Sequence, residues 1–400
     1  MKTKLLTDPI EAAELIKAGG LVAVPTETVY GLAANALDEK AVKEVYEVKG
    51  RPEVKALSVM VSGAEAIERY CLEIPQAAYT LAEAFWPGPL TLVLKAKAGI
   101  PDIVRAGGAT LGLRCPDHPL TLKLLAAANL PLAAPSANPS GAPAPISAGQ
   151  VLAYFDGRID AVLDGGPCDF GEASTILDLS ATPYRVLRQG ALPEAEIRRA
   201  LADALTVVGI TGGTGTGKTT ALAALERMSA LAIDADTVYH SLLETDADLR
   251  DELREHFPAA FGNGALDRKA LGNIVFSDPD ALLKLNAVTH KYVEIEIERM
   301  FGDWAMSGGT AAAVDAVALI ESGLNKRCGA VIGVLAPEAE RVRRVAAREG
   351  ISEDYAKLRI HAQQSDDFYR EHCDYILENN GDSRAFIDQC ENLFRRLIHV

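Results

Sequence analysis

The sequence predicts an α/β protein organised as two domains, residues 1–200 and 206–400, and three observations carry that reading. Strand-like apolar runs alternate with helix-like ones along both halves, the order expected of sheets covered by helices. LPEAEIRRALADAL, from Leu192 to Leu205, has a helical apolar period and runs directly into the β-branched strand TVVGI. That strand leads into TGGTGTGKTT, where Gly212, four residues and Gly217-Lys218-Thr219 fit G-x-x-x-x-G-K-[ST] ahead of the helix-compatible run TTALAALERM. At 400 residues the chain has room for two or three domains, each with its own core.

Composition narrows the class. The chain is 48% hydrophobic and 24% charged, a globular balance. Its longest nearly apolar run, Leu124 to Ala134, is too short to span a bilayer and is interrupted by Asn129 and Pro131. The opening MKTKLLTDPIEAAEL does not read as a secretion signal, so a cytoplasmic enzyme without a membrane partner is expected. The six cysteines are scattered without a Cys-x-x-Cys pair and read as reduced thiols rather than metal ligands. Net charge is −15, with 19 basic and 24 acidic residues up to Leu205 and 21 and 31 after it. Such a balance argues against a strong nucleic-acid footprint, because an acidic surface repels phosphate backbones. Anionic substrates must then be held by a few locally placed Lys and Arg residues.

In the second half, the loop Gly212-Gly213-Thr214-Gly215-Thr216-Gly217-Lys218-Thr219-Thr220 is an ATP-binding candidate. Its glycines let backbone N–H groups turn toward phosphate oxygens, Lys218 bridges the β- and γ-phosphates, and the Thr219 hydroxyl is the candidate Mg²⁺ ligand. The next strand, LAIDAD, brings Asp234 and Asp236 to a strand end facing the ligand crevice. One carboxylate suits removal of a proton from an attacking hydroxyl and the other suits holding Mg²⁺-bound water. A helix N-cap followed by a surface acid is the competing reading. Arg341, Arg344 and Arg348 share one helical face before Gly350 and KLRIHAQQ, which suits a mobile lid over the transferring phosphoryl group, although most such stripes are simply solvated.

These residues together resemble dephospho-coenzyme A kinase. The resemblance covers almost all of 206–400 and rests on TGGTGTGKTT, IDADTVYH, LDRKALGNIVFSDPDALLKLNAVTH, VDAVALIESGL, RVRRVAAREG, RIHAQ and CDYILENNGD. It implies a P-loop kinase fold with a parallel sheet and helical lid and acceptor insertions, and ATP-dependent phosphorylation of the ribose 3′-hydroxyl of dephospho-CoA. It further implies Asp234 as general base, with Lys218 and Arg344 or Arg348 stabilising the phosphoryl group. The chain departs from the family at His290-Lys291, usually His-Pro, and at Val317-Ala318-Leu319, usually Pro-Leu-Leu.

The first half has no glycine-rich loop, so a triphosphate there needs cations. PTETVYGL follows the apolar strand LVAVP and sets hydroxyls and a carboxylate before Gly31. Lys49, Arg51 and Lys55 form a basic turn, read either as exposed or as phosphate-binding. Arg114 lies inside an apolar strand and needs an anionic partner, a structural carboxylate or a substrate. Ser136 and Asn138 lie in a polar loop, and Ser174 and Arg188 continue the series of small hydroxyls and isolated cations.

Their order is decisive. PTETVYGL, KGRP, WPGPLTLVL, LGLRCPDHP, APSANPSG, ASTILDL and VLRQGAL resemble, over roughly 5–200, the YrdC-like L-threonylcarbamoyladenylate synthases. That resemblance implies an α/β domain with a twisted mixed sheet. It also implies condensation of L-threonine, bicarbonate and ATP into threonylcarbamoyl-AMP with release of pyrophosphate, feeding tRNA modification. Lys49, Arg51, Lys55, Thr110, Ser136, Asn138 and Arg188 would hold ATP, and Thr28, Arg114 and Ser174 threonine. Departures are Ala56 in a usual Pro-Leu, Met60 where His is common and Ala144 where Ser is common. The leading expectation is a bifunctional enzyme with independent ATP sites and no channelling; contact with tRNA-modification proteins is left open. Two alternatives remain: a kinase joined to a non-catalytic nucleotide- or RNA-binding module, or a first half that tunes the kinase.

Overall fold

The computed structural model describes residues 2–262 and 265–398, which divide into two compact units. One runs to Leu201 and includes Met306–Gly308; the other begins at Ala202.

In the first unit a ten-stranded sheet runs, among the described residues, in the order Lys4–Leu6, Ala161–Leu163, Val22–Val24, Gly31–Asn35, Leu132–Ala133, Ser58–Met60, Thr110–Arg114, Leu90–Lys95, Thr175–Asp178, Arg185–Arg188. Parallel and antiparallel pairings alternate irregularly along it, as expected for a mixed sheet. The helices are specified locally. Asp8 caps Pro9–Lys17 by accepting from the Ile10 N–H, and Pro9 sits where no helical donor is needed. That helix buries Ala12, Ala13 and Ile16 against Leu124, Leu125 and Ala128 of Pro119–Ala128. Asp38 caps Glu39–Lys49, and Gly50 ends it in the left-handed region at φ 61°, turning the chain between Lys49 and Arg51.

Among the described residues the second unit holds a sheet of five parallel strands, in the order Leu231–Asp234, Ala311–Asp315, Thr206–Thr211, Ala330–Leu335, Tyr375–Glu378. Ala311–Asp315 and Ala330–Leu335 are buried throughout, which is why they read as continuous apolar runs rather than alternating ones. One core joins Ala221 and Leu225 of helix Lys218–Arg227 to Phe386, Cys390 and Phe394 of helix Ser383–Leu397. Helices Glu338–Glu349 and Glu353–His361 close around a small core of their own, Val342, Val345, Ala356 and Ile360. Both predicted sheet classes are observed. Among the described residues no helix is long and apolar enough to cross a membrane.

Candidate active sites

In the second unit the phosphate loop leaves the central strand, with neighbours added on both sides, where open parallel sheets form their ligand crevice. Gly212 adopts φ +139°, and a Cβ there would stand 2.3 Å from the Val334 carbonyl oxygen, so the loop's first turn admits no side chain. Lys218 opens the following helix, and its Nζ lies 4.0 Å from Asp315 Oδ1. Asp315 and Asp234 are partners across adjacent parallel strands, which sets two carboxylates side by side at the sheet's carboxyl edge. Burial pushes the Asp315 carboxyl up to about 7; Lys218 opposes the shift, and Asp234 and Asp236 add to it.

Asp234 is also the N-cap of helix Ala235–Thr245, with Oδ1 accepting from Asp236 N at 2.9 Å and Thr237 N at 3.1 Å. The capping alternative is therefore realised at Asp234 without removing the residue from the crevice. Thr219 and Asp234 line one groove. Asp236 lines a neighbouring cavity of about 250 Å³ with Tyr239, Asn286, His290 and Ala318. Burial raises the Asp236 pKa and lowers that of His290, favouring the uncharged form of each. The departure at Ala318 is therefore in the cavity wall, and the Lys291 ammonium instead lies 3.5 Å from Glu252.

The three arginines do not act as one stripe. Arg344 donates to the Gly215 carbonyl and to Asn379 Oδ1, both at 3.2 Å. Arg348 is exposed, reaching Thr214 Oγ1 at 3.3 Å and Glu349 Oε1 at 2.8 Å. Arg341 is buried beneath the loop. Their helix leans on the loop along its length, so its N-terminal arginine is enclosed while its C-terminal one meets solvent.

In the first unit a cavity of about 180 Å³ is lined by Arg51, Arg114, Ser136, Ser174 and Arg188, with Met60, Ala56 and Ala144 also in its wall. Arg114 Nη2 donates to Glu27 Oε1 at 2.7 Å and Thr28 Oγ1 at 2.8 Å, and Nε donates to the Gly88 carbonyl at 3.2 Å. The structural-carboxylate reading of Arg114 is thus realised in Glu27, while Nη1 is the guanidinium nitrogen with no hydrogen bond recorded among the described residues. Arg188 Nη2 donates to the Ser174 carbonyl at 2.7 Å and to its hydroxyl at 3.2 Å, and the Ser174 hydroxyl also meets that of Thr91 at 2.9 Å.

Other expected ATP ligands lie elsewhere. The Lys49 ammonium is buried and donates to the carbonyls of Ser136 and Asn138, fastening the polar loop; burial, with Arg51 second, brings its pKa down to about 8. The Asn138 amide donates within that loop, to the carbonyls of Pro139 and Ala142. Lys55 is exposed, and its carbonyl accepts from Arg51 Nε at 3.0 Å. Thr110 is four residues from Arg114, about 13 Å along the same strand, and is not among the cavity-lining residues.

Four participants were not singled out as site residues from sequence. Asp315 ends an apolar strand as Asp234 does, so the same strand-end signal applies to it. Glu27 is the one acid in PTETVYGL and adjoins Thr28. Gln363, which accepts from Thr214 N at 2.7 Å, and Asn379, which donates to the Thr216 carbonyl at 2.9 Å, carry no local signal because their loop partners are over 140 residues away.

Two family models match the two halves of the chain separately. Residues 14–190 match the Sua5/YciO/YrdC family model, described as telomere recombination, and residues 206–385 match the dephospho-CoA kinase model. A threonylcarbamoyl-AMP synthase of Pyrococcus abyssi is 47% identical over 192 residues, 48% of this chain and 56% of that protein. A putative threonylcarbamoyl-AMP synthase of Mycobacterium tuberculosis is 37% identical over 201 residues, 50% of this chain and 92% of that protein. A solved structure of Pyrococcus abyssi Sua5 with L-threonine is 29% identical, covering 83% of this chain and all of that one, with a TM-score of 0.49. The chain spans about half the length of the first curated relatives it matches. Through its first half the chain belongs to the threonylcarbamoyl-AMP synthase family, and its second half carries a dephospho-CoA kinase domain.

Proposed function

We propose that the chain is a bifunctional enzyme with two separate ATP sites. One phosphorylates the 3′-hydroxyl of dephospho-CoA; the other condenses L-threonine, bicarbonate and ATP into threonylcarbamoyl-AMP, a donor for tRNA modification. The observation that carries the reading is chemical: each unit has its own anion-binding apparatus, a glycine loop with Lys218 in one and Arg51, Arg114 and Arg188 around a hydroxyl-rich cavity in the other.

In the kinase unit the loop N–H groups and Lys218 hold the triphosphate. Asp234 takes the proton from the acceptor hydroxyl through the carboxylate oxygen not used for capping, while Arg344 and Arg348 balance charge on the transferring group. The residues fit Mg²⁺, since Thr219 offers a hydroxyl and Asp315 a carboxylate at the strand end beside Asp234. Mg²⁺ there would neutralise charge on the phosphates. The 250 Å³ cavity beside Asp236 takes the acceptor.

In the synthase unit Arg114 Nη1 receives the threonine carboxylate, Thr28 and Ser174 flank the amino acid, and Arg51 and Arg188 meet the triphosphate with Ser136. Lys49, Asn138, Lys55 and Thr110 support this site at a distance or through the loop. Threonine's amine attacks bicarbonate, and the resulting carbamate displaces pyrophosphate from ATP, a reaction that needs positioning and charge stabilisation rather than a protein nucleophile.

The test is a product assay on the pure protein with ATP and Mg²⁺. Dephospho-CoA should release ADP, and threonine with bicarbonate should release pyrophosphate. Absence of either product beside an active control enzyme would sink the corresponding half.

A further inference from the structure

Arg341 is a buried cation that the proposed phosphoryl transfer does not use. The residue is 6% exposed. Nε donates to the Thr214 carbonyl at 3.1 Å, Nη1 lies 3.6 Å from Asp366 Oδ1, and Nη2 is buried with no acceptor among the described residues. The group lies directly on Gly213, where a Cβ would stand 2.1 Å from Nη2 and 2.8 Å from Cζ. A side chain at position 213 would therefore have to displace the guanidinium.

From the far end of the same helical hairpin, Gln363 Oε1 accepts from Thr214 N at 2.7 Å. Both backbone polar groups of Thr214 are therefore held by side chains outside the loop, one at each end of the segment 341–363. These two groups belong to successive peptides, Gly213–Thr214 through the N–H and Thr214–Gly215 through the carbonyl, and each is held in one orientation. Enclosing a guanidinium with one nitrogen unpaired costs stability, and such a group in a native site calls for a functional reason.

We propose that Arg341 is a positioning residue of the phosphate loop. It fixes the Thr214–Gly215 peptide through its carbonyl while Gln363 fixes the Gly213–Thr214 peptide through its N–H, so that the N–H groups after them face the donor's phosphates, and of the three arginines Arg344 and Arg348 are placed to meet the transferring group. This rests on the kinase reading of the second unit.

The test uses the full chain and the variants Arg341→Met, Arg341→Lys, Gln363→Ala and Arg341→Met/Gln363→Ala. All are made in an Arg51→Ala background that disables the other ATP site; ATP affinity is measured by calorimetry without acceptor, and kcat and KM with dephospho-CoA. Arg341→Met should weaken ATP binding about tenfold, the order expected for a lost charged hydrogen bond, with the acceptor KM within about twofold of wild type. Arg341→Lys should recover part of the loss. The double variant should be little worse than the poorer single, because both side chains act on one residue. Unchanged ATP affinity in Arg341→Met would overturn the proposal, as would additive losses in the double variant. So would equal losses of ATP and acceptor binding in both the Met and Lys variants with a lowered thermal transition, which would mark a folding defect. If wild type binds ATP but phosphorylates no dephospho-CoA, the kinase reading fails while the ATP-affinity comparison still decides the role of Arg341.

Discussion

Glu27 and Arg114 form an ion pair at 2.7 Å with side chains only 4% and 7% exposed, so removing one partner strands a charge out of water. Glu27→Ala leaves the guanidinium with Thr28 and Gly88 alone and also takes the acceptor of the Asp117 N–H, now 3.0 Å from Glu27 Oε2. Breaking such a pair from one side costs about 3–5 kcal/mol. For a unit of this size each kcal/mol moves the transition by about 2–4 °C, so its melting should fall by about 10 °C. Scanning calorimetry of the full chain, with dephospho-CoA added to mark the kinase transition, reads the shift. Pyrophosphate formation should fall with it, because Glu27 sets the direction in which Arg114 Nη1 points, and ADP formation should not change. The paired variant Glu27→Ala/Arg114→Met removes both charges and should regain most of the lost stability. A shift below about 2 °C for the single variant, or a double variant as unstable as the two singles summed, would refute the reasoning.

Two further outcomes concern the kinase unit. With its folded pKa raised from 3.8 to about 7, Asp315 favours the folded state below pH 3.8, and this contribution is lost as pH rises to about 7. If ionised Asp315 is needed beside Lys218, kcat/KM for dephospho-CoA should fall on an acidic limb near pH 7, and Asp315→Asn should flatten that limb as well as lower the rate; a limb that persists in the variant assigns it to another group. Asp234→Asn should reduce kcat about 100-fold or more with a small change in acceptor KM, whereas Asp236→Asn, in the cavity wall, should act mainly on KM. Steady-state kinetics showing the reverse split would transfer the base to Asp236.

What the sequence made legible followed from local rules. The loop after TVVGI, the Asp at a strand end and the presence of a helix ahead of TVVGI each depend on residues within a few positions of one another, whereas the helix ends at Asp203 rather than at Leu205. Arg114 was recognisable as a cation needing a partner, but choosing between a carboxylate and a substrate required knowing that Glu27, 87 positions away, shares its enclosure. The arginine face of helix Glu338–Glu349 was visible as a periodicity, yet periodicity does not say that one end is pressed on Gly213 while the other meets solvent. Lys49 shows the same limit. A Lys-Gly-Arg turn suggests phosphate, and only the folded loop shows that the ammonium is already engaged by two carbonyls.

The independence of the two sites is tested most directly by measuring ADP and pyrophosphate from one sample supplied with ATP, Mg²⁺, dephospho-CoA, threonine and bicarbonate, in wild type, Lys218→Ala and Arg51→Ala. Two separate sites predict that Lys218→Ala loses only the dephospho-CoA-dependent ADP, and Arg51→Ala only the threonine-dependent pyrophosphate. Loss of both products in either variant, with both units still folded, would contradict the account.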